Sequence, residues 1–101
     1  FLNTAGAKIR WSGRTCRIIG TDSLNQTEYA VMADRIEAGT FCVAATLTKG
    51  NLEIKNFNPD IIRTELDLLK KAGARIKIDN NKITVIGPEK IKPINTAYTA
   101  L

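Results

Sequence analysis

At 101 residues, 44% hydrophobic and 25% charged, the chain can build one globular core and is too evenly mixed for a disordered or fibrous protein. No apolar run approaches the roughly 20 residues that cross a bilayer as a helix, and the absence of histidine removes His-based acid–base catalysis and the usual zinc sites. The net charge of +5 raises nucleic acid as a partner, but the cations are dispersed and the aromatics do not interleave with them, so a solvated basic surface is the plainer reading.

In chain order, Phe1 to Gly6 reads as the last turn of a helix closed by a C′ glycine. Ala7, Ile9 and Trp11 alternate with Lys8, Arg10 and Ser12, which is strand spacing, and Thr15 to Ile19 returns after a Gly13-Arg14 turn. Gly20 to Thr27 is polar and loop-like, and Glu28 to Met32 is expected to be a short strand. Asp34 followed by Glu37 ahead of an apolar run is a capping-box pattern. From Ile36 to Leu47 the run is apolar or small on nearly every face, the signature of a helix buried all round, and Gly50 is expected to close it.

Asn51 to Phe57 alternates again as a strand, and Asn58-Pro59-Asp60 starts a second helix with Asn58 as cap. Ile61, Ile62, Leu66, Leu69 and Ala72 recur at helical spacing while Arg63, Glu65, Asp67 and Lys70 face water, and Gly73 ends that helix. Arg75 to Ile78 and Ile83 to Ile86 form a second hairpin, beyond which no clear pattern remains. Cys16 and Cys42 are far apart, have no CxxC spacing, and are expected to be packing residues in a reduced, cytoplasmic protein.

The two hairpins are copies. Ala5-Gly6-Ala7-Lys8-Ile9-Arg10 matches Ala72-Gly73-Ala74-Arg75-Ile76-Lys77, and Ile18-Ile19-Gly20 matches Val85-Ile86-Gly87, both at an offset of 67 with no gap. The chain thus reads as an α+β protein with about one and a half βαβαββ units, the tail of one and one whole unit. Repeated units bury their faces against neighbours, and residue 1 is Phe, so a piece of a longer chain is expected.

The block Asp34-Arg35-Ile36-Glu37-Ala38-Gly39-Thr40-Phe41, followed by Val43-Ala44-Ala45, resembles the motif of the UDP-N-acetylglucosamine 1-carboxyvinyltransferase family of enolpyruvyl transferases. Phe1-Leu2-Asn3-Thr4 with Gly6-Ala7-Lys8-Ile9, and Asn58-Pro59-Asp60 with Ala72-Gly73-Ala74, fall at the spacing that family uses, and the resemblance covers residues 1 to about 90. It implies a fold of two similar domains, each of three βαβαββ units about a pseudo-threefold axis. Residues 1–32 would end one domain and residues 33–101 would begin a unit of the other, with the substrates in the cleft between them.

The activity implied is transfer of the enolpyruvyl group of phosphoenolpyruvate to UDP-N-acetylglucosamine with release of phosphate, in peptidoglycan precursor synthesis. That chemistry requires no metal and no organic cofactor. The partners implied are those two substrates and the rest of the parent chain, with no membrane and no nucleic acid. By resemblance Asp34 is the candidate catalytic acid at the cleft and Arg35 the candidate substrate-binding residue; from the residues alone, Asp34 is a helix cap and Arg35 a solvated arginine.

Two positions depart from the family pattern: Ala33 stands where proline is usual before the aspartate, and Cys42 where an aliphatic residue is usual. The family's reactive cysteine lies on a glycine-containing loop that has no counterpart here, so the chain alone is expected to be inactive. Two alternatives stay open, a fragment of the sister transferase acting on shikimate 3-phosphate and a free-standing basic βαβαββ module that binds RNA.

Overall fold

The computed structural model describes residues 1–96, which divide into two compact units, Phe1–Met32 and the chain from Ala33 onward. Residues 97–101, where the sequence gives no pattern, lie outside the described residues.

The first unit opens with a helical turn. Gly6 adopts a left-handed φ of 99° and donates to Asn3 O at 3.1 Å, while Ala7 donates to Leu2 O at 3.0 Å. That pair of bonds is the Schellman arrangement that satisfies the last carbonyls of a helix. Strands β1 (Lys8–Ser12) and β2 (Thr15–Ile19) then pair antiparallel, with Arg10 opposite Arg17 and Trp11 opposite Cys16. The Asn3 side chain accepts from Ile9 N at 2.9 Å and donates to Ile9 O at 2.8 Å, so it acts as a local partner for the outer edge of β1.

Two expectations fail in this unit. Glu28 to Met32 is irregular rather than a strand, because a strand needs a neighbour for its backbone groups and none is present among the described residues; Val31 is 87% exposed. Cys16 is exposed rather than packed, since no second layer covers its sheet face among the described residues.

The second unit holds α1 (Arg35–Leu47), β3 (Asn51–Lys55), a 3-10 turn (Pro59–Ile62), α2 (Arg63–Lys71), β4 (Arg75–Asp79) and β5 (Lys82–Ile86). The antiparallel sheet has the order β3-β5-β4 and carries both helices on one face. Strand alternation sends Leu52, Ile54, Ile76, Ile78, Ile83 and Val85 towards the helices. There they meet Ala38, Cys42 and Ala45 of α1 and Leu66 of α2, with Phe57 and Ile62 filling the ends. Each fully buried aliphatic side chain contributes about 1.5–3 kcal/mol. Asn58 caps the 3-10 turn through Asp60 N at 3.0 Å, as its position before Pro59 predicts.

The end of α1 differs in detail from the expectation. Lys49, not Gly50, takes the left-handed conformation (φ 57°), and Gly50 donates to Ala45 O at 2.8 Å. The helix is also not buried all round. Its Ala38–Cys42–Ala45 stripe faces the core, whereas Ile36 (64%), Phe41, Val43 and Leu47 are exposed. One sheet and one helix can cover only one side of a helix, and no other element among the described residues of this unit reaches the rest.

The repeat persists in three dimensions. The strand limits of β4–β5 are those of β1–β2 shifted by 67, and so is the register, Ile78 facing Ile83 as Trp11 faces Cys16. Gly73 and Ala74 close α2 with the same pair of bonds as Gly6 and Ala7. The bond from Asn25 N to Ala5 O at 2.8 Å likewise has its copy from Lys92 N to Ala72 O at 2.9 Å.

Candidate functional site

Asp34 is the N-cap of α1. Its backbone is extended (φ −74°, ψ 116°), and its Oδ1 accepts from Ile36 N at 2.7 Å and Glu37 N at 3.3 Å. Those amides have no partner inside the helix, which is why a short carboxylate belongs there. Oδ2 accepts no hydrogen bond among the described residues. The reciprocal half of the capping box is missing, because the Glu37 side chain makes no bond back to the Asp34 amide among those residues. Glu37 still lies in the first turn, where the helix dipole favours a negative charge.

A depression of about 470 Å³ lies between the head of α1 and β3, lined by Asp34, Glu37, Phe41, Glu53, Lys55 and Phe57 among others. Its size is that of a small-molecule pocket, for which roughly 300–1,000 Å³ is usual. The Lys55 ammonium, 3.2 Å from Glu53, holds that carboxyl below its ordinary range by donating to it, and Lys82 at 3.4 Å adds to the effect. Asp34, Glu37 and Glu53 therefore outnumber Lys55 around the depression. This balance opposes an anionic ligand unless cations are supplied from elsewhere.

Arg35 is turned to another side of α1. It lines a separate groove of about 350 Å³ with Ile36, Gly39, Thr40, Val43 and Glu65, and its guanidinium meets Glu65 of α2 at 3.0 Å. The structure thus does not bring Asp34 and Arg35 into one pocket, as expected of neighbours about 100° apart on a helix. Glu53, Lys55 and Phe57 are the lining residues that sequence reasoning passed over. Alternation marks Glu53 and Lys55 only as positions off the core face; that β3 runs beside the head of α1 is a tertiary fact with no local signal.

Cys42 offers no nucleophile. Cys42 is fully buried in the middle of α1, and burial pushes its thiol above the ordinary value of 9.0, away from the reactive thiolate.

Residues 1–99 match the family described as EPSP synthase (3-phosphoshikimate 1-carboxyvinyltransferase). Among curated relatives, the UDP-N-acetylglucosamine 1-carboxyvinyltransferase of Pelagibacter ubique is 49% identical over 96 residues, covering 94% of this chain and 23% of the relative. The Clostridium perfringens protein named UDP-N-acetylglucosamine 1-carboxyvinyltransferase 1 is 47% identical over 100 residues, covering 94% and 24%. Its namesake in Legionella pneumophila is 45% identical over 98 residues, covering 94% and 19%. The chain spans no more than a quarter of the length of these relatives, and it belongs to the EPSP synthase family.

Proposed function

We propose that these residues form part of an enolpyruvyl transferase that joins the enolpyruvyl group of phosphoenolpyruvate to UDP-N-acetylglucosamine. In this reaction a sugar hydroxyl oxygen bonds to the enolpyruvyl carbon, the bond from that carbon to the phosphate oxygen breaks, and the hydroxyl proton leaves with phosphate. The transferase reading is supported by the relatives' names and by identity near one half across the chain. The free-standing RNA-binding module has no comparable support. Between the two transferases, the relatives' names favour the sugar-nucleotide enzyme over the shikimate one.

Asp34 is the residue we assign to the reaction. The carrying observation is its division of labour: one oxygen is spent on the helix and the other is unengaged beside the depression. The second oxygen accepts the hydroxyl hydrogen as the new bond forms and passes that proton on to the departing phosphate. Arg35, released from Glu65 or shared with it, supplies positive charge to a substrate carboxylate or phosphate. The acid-rich lining implies that most of the cations for these anions come from the remainder of the protein. In the proposed arrangement residues 1–32 close one domain and residues 33–101 open the next, in a cytoplasmic enzyme. None of the described helices is long and apolar enough to cross a membrane.

The deciding experiment measures phosphate release by the longer protein containing this chain, given phosphoenolpyruvate with either UDP-N-acetylglucosamine or shikimate 3-phosphate. Release with the sugar nucleotide alone is expected, as is its loss in Asp34→Asn. Release with shikimate 3-phosphate alone overturns the substrate assignment, and full activity in Asp34→Asn overturns the role of Asp34.

A further inference from the structure

We infer that the face of the β1–β2 hairpin carrying Lys8, Arg10 and Arg17 binds a small soluble anion made of linked phosphate groups. The inference rests on the register of the hairpin and not on the transferase reading. Cations that are dispersed along the sequence converge here. Strand alternation puts Lys8, Arg10 and Ser12 of β1 on one face, and the register sets Arg17 directly opposite Arg10, Ile19 opposite Lys8 and Thr15 opposite Ser12. Ile9, Trp11, Cys16 and Ile18 take the other face. Lys8, Arg10, Arg17 and Ile19 line a hollow of about 260 Å³.

The charge of this face is unbalanced. The cationic side chains of the first unit, Lys8, Arg10, Arg14 and Arg17, all lie in the hairpin, whereas its acids, Asp22 and Glu28, lie outside it. None of these cations makes a salt bridge among the described residues. In the second unit the same face is balanced. The copies of Lys8, Arg10 and Arg17 are Arg75, Lys77 and Thr84, Asp79 stands in the place of Ser12, and Glu53 of β3 bridges to Lys55 and Lys82. Like charges directly opposite each other across a ladder are unfavourable, so Arg10 and Arg17 weaken the hairpin unless an anion sits between them. The pleat does not require the pair, since Lys77 faces Thr84 at the same place in the copy. Nor does this face need a covering layer. In the second unit both helices lie on one side of the sheet, and Arg75 and Lys77 are exposed on the other.

The spacing selects the ligand. Directly opposite side chains start about 5 Å apart and successive residues of one face about 7 Å apart, so the three cations surround a single compact group. Two guanidinium forks suit the oxygens of a carboxylate or a phosphate. A carboxylate brings one charge and two coplanar oxygens, whereas linked phosphates bring several charges and oxygens in every direction, enough to meet Lys8 as well. The hollow is smaller than the roughly 300–1,000 Å³ of a site for a drug-sized molecule, so it takes the phosphates and leaves any attached group in solvent. Nucleic acid is disfavoured because Trp11 lies on the opposite face and no aromatic is present for a base to stack on. A lipid surface is disfavoured because Trp11 and Ile18, the exposed apolar side chains that would enter it, lie on the face away from these cations.

The test uses the longer protein containing this chain, with inorganic tripolyphosphate as the probe and calorimetry at low salt as the readout. Saturable binding is expected, weakening as salt is added. Arg10→Gln and Arg17→Gln, each checked for retained fold by circular dichroism, are expected to lose about tenfold in affinity. Lys77→Gln, at the copy of Arg10, is expected to bind as the unsubstituted protein does. The probe is also expected to raise the melting temperature of the unsubstituted protein more than that of Arg17→Gln, because it relieves the repulsion between Arg10 and Arg17. No binding, or equal affinity in Arg17→Gln and Lys77→Gln, overturns the proposal. So does tighter binding of a single-stranded RNA or of phosphatidylserine vesicles that the same arginine variants weaken, which would make one of those the occupant.

Discussion

Gly87 donates its amide to the Gly50 carbonyl at 2.8 Å and in doing so brings its α-carbon against the last turn of α1. The backbone of β5 thereby continues the ladder one residue past β3 and locks the helix end to the sheet. A Cβ at Gly87 would sit 2.8 Å from Lys49 Cα and closer still to Ala45 O, and neither backbone atom can step aside. Gly87→Ala is therefore expected to cost about 1–3 kcal/mol, the usual penalty of forced overpacking. Gly20→Ala, at the same place in the first hairpin, is expected to be near neutral in this chain. Urea unfolding of the two variants decides it, and equal destabilisation would show that the close approach at Gly87 is not what glycine is there for.

The Asp34 cap can be separated from its chemistry, because asparagine caps a helix as well as aspartate does. Asp34→Ala is expected to lower stability by about 1 kcal/mol through loss of the bonds to Ile36 N and Glu37 N. Asp34→Asn is expected to keep nearly all of that stability. In the longer protein both variants lose turnover if the free oxygen takes part in the reaction. An active Asp34→Asn with an inactive Asp34→Ala would assign the residue to the fold alone.

Much of this architecture is legible locally. The cap at Asp34, the Asn58-Pro59 start, the Gly6 and Gly73 stops and both hairpins depend on backbone chemistry within a few residues, and all appear where the sequence puts them. What fails depends on neighbours. Glu28 to Met32 has a strand-like composition but no strand beside it among the described residues, and Ile36, Val43 and Leu47 are apolar without a layer to cover them among those residues. The pocket has no local signature for the same reason: Asp34 is visible as a cap, but the approach of Glu53 and Lys55 is set by how β3 packs. Arg35 follows Asp34 in the chain, which suggests a joint site, yet helix geometry turns it towards Glu65.

The Arg35–Glu65 pair is mostly solvated, with the two side chains 56% and 40% exposed. Exposed pairs of this kind are worth about 0–1 kcal/mol. A double-mutant cycle with Arg35→Ala and Glu65→Ala is expected to give a coupling inside that range, shrinking as salt is added. Arg35 is thus available to a ligand at little cost to the fold. A coupling well above that range, insensitive to salt, would instead make the pair a structural tie between α1 and α2.

The cysteines should behave as opposites. Cys16 is exposed and Cys42 has no accessible surface, so a thiol reagent applied to the folded chain is expected to label Cys16 at once and Cys42 only on opening of the second unit. Burial also holds the Cys42 thiol protonated above its ordinary value of 9.0. The folded state then binds the proton more tightly than the unfolded state, so this contribution to stability is complete below about pH 9 and is lost as pH rises through the folded value. Cys42→Ala removes the titration together with some packing, and Cys16→Ala leaves it in place. Stability measured against pH in the two variants is expected to show a shallower alkaline decline only for Cys42→Ala. Rapid labelling of Cys42 under native conditions, or an unchanged alkaline slope in Cys42→Ala, would mean that the core around α1 admits water.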